Sequence, residues 1–183
     1  MVDTAVQIAE WRSLQARPHV DELLDIYRQA FLELHSSDPE RAAQLRRAQT
    51  RQVIDRPGFR AMVAIDADEL VGFAFSCPGM SGQWWHDVVV GALPRAQASD
   101  WLADSLEIVE LHVLPSHQGR GLGRRLLRDS LGRTECRTAV LSALEEDSPA
   151  RRLYAAEGFV PLLERFRFPG SPERYAVLGK RLP

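Results

Sequence analysis

At 183 residues, with 45% apolar and 26% charged residues and a formal net charge of −2, the chain has the size and composition of one folded domain spanning residues 1–183, and its total charge gives no reason to expect a nucleic-acid partner. No apolar run approaches the length of a membrane span, no basic and apolar leader stands at the start, and two cysteines, Cys77 and Cys136, are too few for a disulfide framework or a zinc site of cysteine pairs. The expectation is a soluble, cytoplasmic protein with reduced thiols, no membrane partner and no metal.

In chain order, a short alternation predicts a strand over Val6 to Trp11. Val20, Leu23, Leu24, Tyr27, Phe31 and Leu34 then recur at three- and four-residue steps after Pro18, the pattern of a helix with one apolar face. Asp38 as N-cap and Pro39 at the first helical position open a second helix, which runs to the "RPG" breaker. "FRAMVAID" and "ELVGFAFSC" form a predicted hairpin around Ala67 and Asp68. From Pro78 to Asp104 glycine, proline and three tryptophans mix, with short helices near His86 to Ala92 and Gln97 to Ala103. A strand over Glu107 to Val113, a glycine loop, a helix from Leu122 to about Leu131 and a strand over Thr138 to Leu144 follow. "DSPARRLYAAEGF" reads as a helix capped by Ser148, with Pro149 at its first position and Gly158 past its end. Strands near Val160 to Phe168 and Arg174 to Gly179 close the chain as a hairpin, so the class is mixed α/β, a sheet covered by helices.

The segment "LHVLPSHQGRGLGRRLL" carries the chemistry. Glycines let backbone N–H groups approach a ligand, and the first turn of a helix leaves several N–H groups without internal partners. Between Ser116 and Arg137 six arginines stand against two acids, a local excess of four positive charges that suits a ligand with several phosphates. A P-loop is excluded, because Gly123 is followed by Arg124 and Arg125 instead of Lys-Ser/Thr. The dinucleotide fingerprint gains some support from Glu145 downstream, but Gly119, Gly121 and Gly123 fall at steps of two.

Gln118-Gly119-Arg120-Gly121-Leu122-Gly123 resembles the Gln/Arg-x-x-Gly-x-Gly/Ala signature of the GNAT superfamily of N-acetyltransferases, and "SPARRLYAAEGF" resembles the helix and Tyr-x-x-x-Gly-Phe segment that follows it there. The resemblance covers Glu107 to Phe159 well and earlier residues by element order. It implies the GNAT fold, a central mixed, mostly antiparallel sheet of six to seven strands flanked by about four helices, and an acetyl-CoA-dependent acyltransferase. Coenzyme contacts are implied at Leu111, His112 and Val113 on the strand, at Gln118, Gly119, Arg120, Gly121, Leu122, Gly123 and Arg124 on the loop and helix start, and at Asp147, Ala150, Arg151 and Tyr154.

Acyl transfer from a thioester needs a deprotonated amine, a polarised carbonyl and a proton for the leaving thiol. A lysine-like amine, with a reference pKa of about 10.4, needs a base. By the resemblance Glu107 is the first candidate and Glu110 the reserve; the backbone N–H of Leu111 polarises the thioester, Val113 pairs with the pantetheine arm, and Tyr154 protonates the thiolate. Tyr154, beside Leu153 and Phe159, also reads as a core aromatic. Asp147 departs from the asparagine common at its position, which weakens a contact assigned to that side chain.

Asp100, Asp104, Glu107 and Glu110, with no basic residue among them, would attract a cationic amine if they lined the acceptor side; for Asp100 and Asp104 a solvated face is the favoured reading. Trp84, Trp85 and Trp101 wall an apolar substrate or pack a core. His112 and His117, five apart, have no standard metal spacing, and "GMSG" around Ser81 lacks the nucleophile elbow of serine hydrolases. The acceptor is expected to be a small-molecule primary amine, with a protein N-terminus or lysine the other possibility; direct transfer in a ternary complex and a possible homodimer are expected, and a catalytically inactive acyl-CoA-binding sensor or assembly module is the rival class.

Overall fold

Seven strands and their connecting helices make up a computed structural model that describes residues 6–183. Their order in the sheet is β1-β2-β3-β4-β5-β7-β6, with β1 Gln7–Trp11, β2 Arg60–Asp66, β3 Glu69–Pro78, β4 Ser105–Val113, β5 Thr138–Leu144, β6 Val160–Phe166 and β7 Tyr175–Arg181. The helices are α1 Ser13–Ala16, α2 Val20–Tyr27, α3 Glu33–His35, α4 Pro39–Ile54, α5 Trp84–Ala92, α6 Arg95–Leu102, α7 Leu122–Leu131 and α8 Pro149–Ala156. Among the described residues six of these have eight residues or more, the six that the chain-order reading places, where the resemblance implies about four. No helix among the described residues is long and apolar enough to cross a membrane.

The chain divides into two compact units, Met1–Cys77 with Glu110–Arg133 and Pro78–Val109 with Thr134–Pro183, so the division falls within β4. In the first unit β1 pairs antiparallel with β2 and β2 with β3. The two-residue turn between β2 and β3 puts Ala67 and Asp68 at φ 48° and 68°. Positive φ at both central positions matches the right-handed twist of a hairpin. Asp38 caps α4 as the sequence predicts, its carboxylate accepting from the Arg41 N–H at 3.1 Å. Helix α7 is amphipathic: Leu122 and Leu126 pack on Met62, Ala64, Val71, Ala74 and Val113. Each buried leucine contributes about 2 kcal/mol, and this anchors the start of α7 beneath the glycine loop.

The apolar stripe after Pro18 departs from its expected course. Between α2 and α3, Arg28–Leu32 form a π-helical turn. The wider turn adds a residue, so the buried position after Tyr27 is Leu32, and Leu34, expected on the apolar face, is 77% exposed. Arg28 draws together Asp25 and Glu33, both at 2.6 Å, and Glu40 at 3.4 Å around this turn.

In the second unit β4 pairs in parallel with β5 from Ser105↔Thr138 to Glu107↔Val140. The last strand, β7, pairs antiparallel with both β5 and β6. Its core joins Trp85, Val89, Leu93 and Leu102 to Val140, Phe168 and Val177, with Trp101 packed against it. Of the three tryptophans Trp85 is thus a core residue and Trp101 covers the edge of that core. Trp85 also donates its indole N–H to Ser142 Oγ at 3.1 Å, which satisfies the one polar atom it buries.

Candidate active site

In the first unit the glycine segment forms a backbone cradle at the mouth of α7. β4 ends at Val113, the Leu114 N–H donates to the Val71 carbonyl at 2.9 Å, and Pro115–His117 make one 3-10 turn. Gly119 and Gly121 follow with φ of 75° and 77°. A side chain at either would be strained by that backbone, and, the adjoining residues of the chain apart, no atom among the described residues lies within 4 Å of where its Cβ would stand. Gly121 is the N-cap of α7, its carbonyl taken by the Arg125 N–H at 3.1 Å. The N–H groups of Leu122, Gly123 and Arg124 occupy the first turn, where helical geometry supplies no carbonyl. With exposed Arg120 and Arg124 alongside, this donor set fits a pyrophosphate. The Gln118 amide points the other way, donating to the Val113 carbonyl at 2.9 Å.

On β4, Glu110 and His112 share a cluster with groups far away in sequence. Glu110 pairs with Arg46 of α4 through Oε1 and with His112 Nε2 through Oε2, the latter at 2.7 Å. Burial alone pushes this carboxyl up; the Arg46 charge and the His112 hydrogen bond outweigh burial and hold it at about 2, below its ordinary 4.5. Arg46 also lies over the Tyr27 ring, 5.5 Å from its centroid. Tyr27, Phe31 and Phe73 surround the imidazole of His112, with ring centroids 4.9, 6.0 and 5.6 Å away. The sequence reading missed Arg46, Tyr27 and Phe73 as neighbours of the strand. The one signal was a carboxylate in an apolar strand, which calls for a cation without saying which one.

The second unit carries the other expected residues. Glu107 is 3% exposed in the middle of β4. Tyr154 is buried on α8, edge-on to Phe159 at 5.8 Å, so the aromatic packing is real whatever its hydroxyl does. Ser148 caps α8, accepting from the Arg151 N–H at 3.2 Å. Ala150 is exposed, and Asp147, 84% exposed, pairs with Arg152 at 2.5 Å. Arg151 Nη1 is buried and, among the described residues, has no hydrogen-bond partner. An orphaned guanidinium N–H fits an anionic ligand. Asp100 is tied to Arg181, whose guanidinium lies 4.2 Å from the Trp101 ring, and this accounts for one of the four acids by a local pair. His86 and His117 are engaged by Asp87 and Asp66 respectively.

The profile of the acetyltransferase (GNAT) family matches residues 20–159, and the chain belongs to that family. It is 33% identical over 150 residues to the GCN5-like protein acetyltransferase Rv2170 of Mycobacterium tuberculosis, covering 78% of this chain and 73% of that protein. A shorter match, 37% identical over 75 residues, joins 36% of this chain to 24% of the N-alpha-acetyltransferase 40 of Saccharomyces cerevisiae. Among solved structures, the PaiA N-acetyltransferase of Thermoplasma acidophilum in complex with coenzyme A superposes with a TM-score of 0.67 at 14% identity, over 97% of this chain and 99% of that one. The protein is thus an acyltransferase that uses acetyl-CoA as donor.

Proposed function

We propose that the acceptor is a primary amine of a small molecule and that acetyl passes to it directly while donor and acceptor are bound together. The observation that supports the donor half of this reading is the pair of positive-φ glycines opening α7 shortly after β4, a cradle for linked phosphates. Gly119, Arg120, Gly121, Leu122, Gly123 and Arg124 hold the pyrophosphate, Arg151 offers its buried N–H to another anionic group of the coenzyme, and Val113 pairs with the pantetheine arm. Acetyl-CoA supplies the acetyl group activated as a thioester. The Leu111 N–H stabilises charge on the acetyl oxygen, Glu107 takes the proton that leaves nitrogen as the C–N bond forms, and Tyr154 gives its phenolic proton to the departing sulfur. Glu110 is set aside as the base, since Arg46 and His112 engage both its oxygens and a carboxyl at about 2 accepts a proton poorly near neutrality.

A second reading, a lysine or N-terminus of a protein as acceptor, is favoured by the 33% identical relative, which is named a protein acetyltransferase. The test is amine-dependent release of free thiol from acetyl-CoA, with small polyamines and amino sugars in one panel and peptides bearing a free N-terminus or lysine in another. Release that is lost in Glu107→Gln and Tyr154→Phe supports catalysis with these roles. Acetyl-CoA binding without release in either panel favours the inactive sensor.

A further inference from the structure

We propose that His112 is a catalytic residue, the proton acceptor that converts the incoming ammonium to a neutral amine, with Glu110 and Arg46 as positioning residues that hold the imidazole in the required tautomer. This role rests on the function proposed above and adds a residue to it.

Arg46 keeps Glu110 ionised, and an ionised carboxylate can only accept hydrogen bonds. The 2.7 Å contact therefore places the ring hydrogen on His112 Nε2, and the lone pair lies on Nδ1. A carboxylate behind an imidazole also stabilises the imidazolium as it forms, the arrangement by which a histidine becomes an effective general base. Glu110 has both oxygens committed and serves better behind the ring than as the base itself.

Aromatic side chains fix the ring in place. Tyr27 of α2, Phe31 of the π turn and Phe73 of β3 stand around it, and the side chain keeps 12% of its surface accessible. The charged and titratable groups facing it are Glu110 on its own strand, Arg46 from α4, the Tyr27 phenol, and His35 of α3 on the far side of Phe31, 4.4 Å from that ring. The π turn sets Tyr27 and Phe31 stacked at 5.6 Å, both against the same imidazole. In sequence His112 directly follows Leu111, the residue whose N–H is assigned to the acetyl oxygen.

An alkylammonium must lose one proton before it can attack and a second after the C–N bond forms. His112 takes the first. The N–H bond breaks, its electron pair stays on nitrogen as the nucleophilic lone pair, and the proton bonds to Nδ1, giving an imidazolium opposite the Glu110 carboxylate. Water then receives that proton and restores the neutral ring. The second proton goes to Glu107.

The experiment uses the full chain and an amine that the wild type acetylates, and measures kcat/KM against pH together with nitrogen NMR of the histidine ring. In the wild type the expected result is an acidic limb in the profile and a His112 spectrum of the tautomer protonated at Nε2. His112→Gln should lose the limb and about a hundredfold or more in rate, with acetyl-CoA affinity little changed by calorimetry. Glu110→Gln should lower kcat at an unchanged KM and show both ring tautomers. A wild-type spectrum of the Nδ1-protonated tautomer overturns the proposal even if His112→Gln does not fold. A folded His112→Gln enzyme that keeps its rate and its acidic limb also overturns it, and leaves the proposed function standing. No thiol release by the wild type with any amine overturns that function and this role together.

Discussion

The Gln118 side-chain amide donates to the Val113 carbonyl across 2.9 Å, so the first residue of the glycine signature binds the end of the strand that precedes it. Gln118 was expected among the coenzyme contacts; this bond gives its side chain the work of closing the loop, which sets where Gly119 and Gly121 present their backbone. Gln118→Ala removes about 1 kcal/mol of ordering, and acetyl-CoA affinity measured by calorimetry should fall roughly fivefold to tenfold while the melting temperature moves little.

Glu110 makes stability depend on acidity. Its carboxyl lies at about 2 in the folded chain against an ordinary 4.5. A depressed carboxyl contributes its stability in full above the unfolded value and loses it as pH falls toward the folded one. The contribution, on the order of 3 kcal/mol at neutral pH, should fade between about pH 4.5 and pH 2. Urea unfolding of wild type and Glu110→Gln across that range checks this: the gap between them should be widest at neutral pH and shrink on acidification.

Tyr154 tests whether its hydroxyl does chemistry or its ring only packs. The ring is buried edge-on to Phe159, and Tyr154→Phe keeps that packing. Stability should fall by no more than about 1 kcal/mol, whereas amine-dependent thiol release should fall on the order of a hundredfold. Equal rates in the two proteins would leave Tyr154 a core aromatic.

Much of this was legible because it is local. The Gly119–Gly121 turn, the leucines at 122, 126 and 127 and the caps Asp38 and Ser148 each depend on residues a few positions apart, and each stands where the sequence puts it. β4 begins two residues before its expected start, at Ser105. The pairing of Glu110 with Arg46 spans 64 positions, and periodicity cannot rank four arginines of α4 as partners for one strand carboxylate. The π turn was hidden for a similar reason: a three-and-four spacing reads the same through Phe31, while the wider turn over Arg28–Leu32 is followed by an exposed Leu34. The tryptophans gave a composition without a partner, and the core they fill is built from strands far along the chain.

The central claim is that the backbone at the mouth of α7 grips the phosphates of acetyl-CoA, and titrating wild type and Gly121→Asp with acetyl-CoA in a calorimeter tests it most directly. At a φ of 77° the substitution strains the turn and sets a negative charge at the positive end of the helix. The account predicts saturable binding of one coenzyme per chain in the wild type and at least about a tenfold loss in the variant, or roughly 1.4 kcal/mol. Equal affinity in a folded Gly121→Asp protein would contradict it.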